Sequence, residues 1–181
     1  SGRAGATGLA GPEGRVDLVG RTRRAARPAE AHALEVALGV ARGMADVRRV
    51  LCTTVGRGQA AFDLAAAFPG AAVTVWFIDL FQHDAARGSW ESPPPGLEAV
   101  CTPDPPDGPY DLAVVPLSKG GEAELTRDIL QSTLARLAIG GRLVTAIDNP
   151  RDNWLRDQLA ETGETVRVRP STSDAPETIA Y

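Results

Sequence analysis

Gly56, Gly58 and Asp79 are the residues whose types and spacing could do chemistry. They lie in the stretch Val50 to Asp79, VLCTTVGRGQAAFDLAAAFPGAAVTVWFID. It reads as a buried strand, a glycine turn, a helix, and a second strand ending on an acid. The two glycines let the backbone turn tightly and approach a ligand where a Cβ would collide. The helix that follows is expected to aim free N–H groups and its positive end at that ligand. Asp79, 21 residues after Gly58, can accept hydrogen bonds from two ribose hydroxyls. This order of parts makes one half of a nucleotide-binding crevice. The alternative is a plain strand–helix turn with Asp79 as a helix cap.

Gly56-Arg57-Gly58-Gln59-Ala60-Ala61 also fits the G-x-G-x-x-A form of dinucleotide-binding proteins. That keeps an NAD(P)-binding oxidoreductase among the readings. Against it, there is no Tyr-x-x-x-Lys pair or other obvious proton donor.

The elements that must position these residues alternate along the chain. Pro28–Arg42 has a helical pattern, with Pro at the first turn and Gly43 at the end. Its expected apolar face is Leu34, Leu38 and Ala41, with Val36 and Val40 alongside, while Glu30, Glu35 and Arg42 face water. Strands are expected at Val47–Thr54, Ala72–Ile78, Leu97–Cys101, Tyr110–Pro116, Arg142–Ile147 and Thr165–Arg169, with a seventh beginning at Glu177–Tyr181. Helices are expected at Gln59–Phe68, Gln82–Arg87 and Glu122–Ala138. Gly140-Gly141 is read as the stop of the last of these. A further helix runs from Pro150 to about Glu161, behind an Asp148-Asn149 cap. The pattern predicts one α/β domain over residues 28–181, a doubly wound, mostly parallel Rossmann-like sheet of six to seven strands with helices on both faces.

Composition bounds the function. The 181 residues are 43% hydrophobic and only 5% aromatic, so the core should be aliphatic. No apolar run approaches the roughly 20 residues that span a bilayer, and no signal peptide is visible. No membrane association is expected. Cys52 and Cys101 sit in apolar strand-like segments, as small core residues of a reducing, cytoplasmic compartment do. With His32 and His83 as the only histidines, no zinc site assembles on the usual spacings, and no metal is expected. The net charge of −4 is mild. Residues 1–27 form a Gly/Arg-rich arm with six arginines, expected to be flexible and locally basic, with a possible short strand at Val16–Val19. Such an arm could touch an RNA backbone. A solvated linker is the plainer reading. The chain starts SGRAGA and stops at Tyr181, and a piece of a longer protein, truncated at its C-terminal strand, is the expectation.

Three segments together resemble class I S-adenosylmethionine-dependent methyltransferases: VLCTTVGRG at the turn, VTVWFIDL with its terminal acid, and YDLAVVPLSKGGEAELTRDILQSTLARLAIGGRLVTAIDN. Within that superfamily the ELTRDILQ…GGRL portion is most similar to the small-subunit ribosomal RNA guanine-N2 methyltransferases. The resemblance covers about residues 47–169. It implies S-adenosylmethionine as cofactor and an RNA base as acceptor. Thr54, Gly56 and Gly58 would then line the methionine end, Asp79 would hold the ribose, and Asp104 would face the adenine. The sequence departs from the pattern at Cys52, which replaces the first-motif acid, and at Thr54, which replaces the first glycine. The family's Asn-Pro-Pro-Phe motif here reads Val115-Pro116-Leu117-Ser118. Pro116 offers a carbonyl, Ser118 a hydroxyl and Lys119 a cation on the substrate side. With no side-chain carboxamide there, a non-catalytic domain of the same fold, kept for RNA or partner binding, is the second reading.

Overall fold

The computed structural model describes residues 26–181; the proposed strand at Val16–Val19 and most of the basic arm lie outside the described residues. The chain runs α1 (Pro28–Ala41), β1 (Arg49–Cys52), α2 (Gln59–Ala67), β2 (Ala72–Phe77), α3 (Leu80–Ser89), β3 (Leu97–Cys101), β4 (Tyr110–Leu117), α4 (Ala123–Leu134), β5 (Leu137–Ile147), α5 (Trp154–Ala160), β6 (Arg169–Pro170) and β7 (Ile179–Ala180). The seven strands form one sheet in the order 3-2-1-4-5-7-6, parallel except for β7. This is the expected α/β architecture. β7, within the expected Glu177–Tyr181, is only two residues long and lies between β5 and β6. Among the described residues no helix is long and apolar enough to cross a membrane.

Period-two alternation along the strands splits the core between the two faces. Val50, Cys52, Val73, Val75, Leu112, Val114 and Ala146 pack on one face with Ala33 and Ala37 of α1 and Leu64 of α2. Val115, Leu117 and Ile147 meet Leu130 of α4 and Leu155 and Leu159 of α5 on the other. Leu51, Trp76, Tyr110 and Ala113 lie in a third cluster with Ile129 and Leu143 packed against it.

The face of α1 is rotated from the expected one. Ala33, Ala37 and Ala41 are its buried stripe, and Leu34, Val36, Leu38 and Val40 pack only partly around it. Small side chains let the helix axis lie close over the sheet, and the longer ones flank the contact. Glu30 falls on the same stripe and is fully buried, not turned to water. His32 is buried too and ties α1 to the C-terminal hairpin, Nδ1 to Thr178 Oγ1 at 2.8 Å. Because the Thr178 hydroxyl donates to the Ala175 carbonyl, the imidazole is the donor in that pair.

Other boundaries shift for identifiable reasons. The double glycine does not stop α4, which ends at Leu134. Gly140-Gly141 instead sits inside β5, where Tyr110 pairs with Leu137 and the next partners are Leu112 and Arg142. The extra residues bulge out, with Gly140 at φ +80°. A Cβ on Gly141 would meet the carbonyl oxygens of Ala138 and Tyr110, each at 2.9 Å. α5 begins at Trp154, not Pro150. Asp148 is held by the Lys119 amide at 2.6 Å, and Asp152 accepts from the Leu155 amide at 2.9 Å to start the helix. α3 is longer than expected because Asp79 caps it, accepting from the Gln82 amide at 2.9 Å. The expected strand at Thr165–Arg169 reduces to Arg169–Pro170.

Pro116 inside a central strand would ordinarily argue against that strand. The β1 ladder ends at Cys52 opposite Val114, so the missing Pro116 N–H faces the side where pairing has already stopped. The parting of β1 and β4 beyond these residues opens the crevice at the point where strand order reverses.

Candidate functional site

An open cleft of about 430 Å³ occupies that reversal point, within the range of roughly 300–1,000 Å³ usual for small-molecule sites. Its walls are the turn residues Thr54–Arg57 and Gln59, Arg27 ahead of α1, Gln82 on α3 and Ser118 after β4. A second groove of about 680 Å³, near Leu134, Ile139 and Leu159, contains none of the turn.

The turn is built around a single hydroxyl. Thr54 Oγ1 accepts from the amides of Gly56 at 2.9 Å and Gly58 at 3.0 Å. Those two bonds use both lone pairs, so the hydroxyl proton must go to Glu30, whose Oε1 and Oε2 lie 3.0 and 2.9 Å away. Glu30 also accepts from the Ala60 amide at 3.2 Å and from the Val55 amide. Every partner donates to it, which is the pattern of a carboxylate. Burial pushes the Glu30 pKa up; the hydrogen bonds from Ala60, Thr54 and Val55 and the charge of Arg27 work against that rise without cancelling it. A carboxylate from α1 thus anchors the turn where the sequence motif has Cys52. The Cys52 thiol is buried in the core, its pKa driven far up by burial and then by the nearby Glu30 charge, and it stays neutral.

The turn is closed from above as well. The Arg57 amide donates to Gln59 Oε1 at 2.8 Å, and the Arg57 carbonyl accepts from Trp90 Nε1 at 2.8 Å. Gly58 has φ +77°, which favours glycine, and a Cβ there would crowd Trp90 Cζ2 at 3.1 Å. At Gly56 a Cβ would lie 2.8 Å from Gln59 Oε1 and 3.3 Å from Glu30 Oε2. The amides of the turn leading into α2, and that of Ala60 within its first turn, are therefore engaged rather than free. Val55, Gly56, Arg57, Gly58 and Ala60 each donate to a side chain of the same chain.

Thr54, Gly56 and Ser118 line the cleft, with Gly58 buried behind it under Trp90. Asp79 is exposed at the end of β2, and its contact Gln82 lines the cleft. Asp104 lies apart from the cleft lining, in an exposed turn after β3 where its carbonyl accepts from Thr102 Oγ1. Pro116 is buried within β4, and Lys119 is exposed on the next loop. The sequence reading had no role for Glu30, Gln59 or Trp90. One signal pointed to Glu30: it shares a helical stripe with Ala33, Ala37 and Ala41. Among the orphaned buried polar atoms are Thr53 Oγ1, just before the turn, and Arg57 Nη1 at the cleft.

No protein-family model matches the chain, and no curated protein matches it. Solved structures do. A TehB-like S-adenosylmethionine-dependent methyltransferase from Corynebacterium glutamicum superposes with a TM-score of 0.57 at 16% identity, covering 83% of this chain and 84% of that one. A ribosomal protein L11 methylase from Lactobacillus delbrueckii subsp. bulgaricus reaches 0.59 at 20% identity, covering 83% and 76%. A precorrin 8w decarboxylase from Methanobacterium thermoautotrophicum reaches 0.55 at 14% identity, covering 81% and 87%. These likenesses establish the fold: a seven-stranded, mostly parallel Rossmann-like sheet of the kind found in class I methyltransferases.

Proposed function

We propose that the chain is an S-adenosylmethionine-dependent methyltransferase whose cofactor lies in the cleft at the parting of β1 and β4. The position of that cleft, at the reversal point of a 3-2-1-4-5-7-6 sheet, is the observation that carries the reading. The residues present suit the cofactor. Arg57 Nη1 is an orphaned buried donor beside the cleft, and Asp79 stands at the end of β2, within ribose reach on the expected pattern. Thr54 and Gly56 shape the wall for the amino-acid end, with Gly58 behind them. When bound, the sulfonium supplies an already activated methyl group, so the reaction asks little acid–base work of the protein. The protein's part is to hold the acceptor in line and exclude water. Ser118, Lys119 and the Pro116 carbonyl, at and after the end of β4, stand on the acceptor side.

The closed turn disfavours the dinucleotide reading. A pyrophosphate needs free amides at the glycine turn, and here those of Gly56, Arg57, Gly58 and Ala60 are engaged by Thr54, Gln59 and Glu30. The acceptor we favour is RNA, held in part by the arginines of the 1–27 arm. Equal salt slopes of RNA binding with and without residues 1–27 would remove the arm from phosphate contact. The departures at Cys52 and at Val115–Ser118 favour a second reading, a binding domain without catalysis, which predicts cofactor binding but no methyl transfer to any RNA.

Calorimetry with S-adenosylmethionine, S-adenosylhomocysteine and NAD tests the cofactor. Binding of the two sulfur compounds and not of NAD is expected. Binding of neither at millimolar concentration overturns the proposal. Replacing Asp79 by Ala should weaken S-adenosylmethionine binding about tenfold, the worth of a charge-assisted hydrogen bond to a ribose hydroxyl. An unchanged affinity in Asp79→Ala would return Asp79 to its helix-capping role alone.

A further inference from the structure

We infer that Arg57 is the carboxylate reader of the cleft: its guanidinium, carried on a backbone held by the Gln59 and Trp90 side chains, takes the carboxylate of the ligand's amino-acid end. This rests on the methyltransferase reading above and adds a residue to it. A ligand carboxylate in this cleft finds five amides of the turn already engaged. The amides of Val55, Gly56, Arg57, Gly58 and Ala60 donate to Glu30, Thr54 or Gln59. A side-chain cation must do the work instead.

Among the described residues the cleft lining holds two, Arg27 and Arg57, and no carboxylate. The charge of Arg27 acts on the buried Glu30. Arg57 differs: its Nη1 is buried and has no hydrogen-bond partner. A buried guanidinium nitrogen without an acceptor is costly and calls for an explanation. A ligand acceptor at that atom supplies one. The residue is also pre-positioned, because its backbone N–H is held by Gln59 Oε1 and its carbonyl by Trp90 Nε1, each at 2.8 Å. With the root of the side chain held, less freedom is lost when the ligand binds. Arginine suits the task better than lysine, since its planar fork matches a carboxylate with two parallel bonds.

The test is calorimetric titration of the wild type, Arg57→Gln and Arg57→Lys with two ligands. One is S-adenosylmethionine and the other is its decarboxylated form, which lacks only the carboxylate. The wild type should prefer S-adenosylmethionine by about ten- to a hundredfold. Arg57→Gln should lose that preference while binding the decarboxylated ligand as the wild type does, and Arg57→Lys should fall between. Equal wild-type affinities for the two ligands, or an Arg57→Gln variant that loses both alike, would overturn the assignment. If Arg57→Gln does not fold, Arg57→Lys carries the test, and an undiminished preference in it overturns the bidentate contact. A wild type that binds neither ligand brings down the methyltransferase reading itself, and with it this one.

Discussion

Replacing Glu30 by Ala is expected to lower folding stability by about 2–4 kcal/mol and to remove ligand binding in the cleft. The fully buried carboxylate accepts from Thr54 Oγ1 and from the amides of Val55 and Ala60. Truncation leaves these donors unanswered, Ala60 in the core and Thr54 and Val55 half-buried, at about 1–3 kcal/mol apiece before water or relaxation recovers part of it. Against that stands the relief of taking a charge out of the interior, the same burial that pushes the Glu30 pKa up. The net cost is therefore smaller than the sum of the lost bonds. Chemical denaturation of the two proteins measures it, and a stability unchanged within 0.5 kcal/mol, the usual scatter for an inert surface change, would mean that Glu30 does not hold the turn.

Glu30→Gln separates the charge from the shape. Because the folded pKa of Glu30 lies above its unfolded value, the native state binds the proton more tightly. The contribution of this group is full below the unfolded carboxylate pKa and is lost as pH rises through the folded one. Denaturation curves across that acidic-to-neutral window should show the wild type losing stability relative to Glu30→Gln as pH rises. A parallel pH dependence in the two proteins would contradict the buried carboxylate.

How much of this was legible in the sequence depends on the range of the interaction. The alternation of strands and helices followed from apolar runs and helical periods, which are local and repeated, and the core strands fell within a few residues of their expected bounds. The glycine turn was legible too, because Gly58 at φ +77° favours a residue type that a reader can see. The filling of the turn was not. Glu30 and Thr54 are joined across 24 residues, and a carboxylate in the first turn of a helix ordinarily sits in water beside the helix dipole. Only its place in the alanine stripe distinguished it. The same lack of long-range information misplaced Gly140-Gly141. Two glycines after a helical run read as a stop, whereas their role is set by Tyr110, whose carbonyl leaves no room for a Cβ at Gly141. Cys52 and Thr54 looked like losses from the methyltransferase pattern. In the structure the turn takes its carboxylate from Glu30 of α1, and Thr54 links that carboxylate to the turn amides.

That link makes Thr54→Val the sharper test of the same network. The substitution nearly conserves volume and removes the hydroxyl that accepts from Gly56 and Gly58 and donates to Glu30. Two amides lose their acceptor and a buried carboxylate loses a donor, so a cost of about 2–3 kcal/mol is expected. The Glu30 pKa should climb further, since one of the bonds opposing its rise is gone. Serine at this position keeps the hydroxyl and should restore most of the stability. In a double-mutant cycle with Glu30→Gln the two effects should overlap by about 1–2 kcal/mol, because each substitution disables the same chain of bonds. Additive effects would mean that Thr54 and Glu30 support the turn separately. In that case the carboxylate would be a core anchor of α1, and the shape of the cleft wall would rest on Gly58 and Trp90 alone.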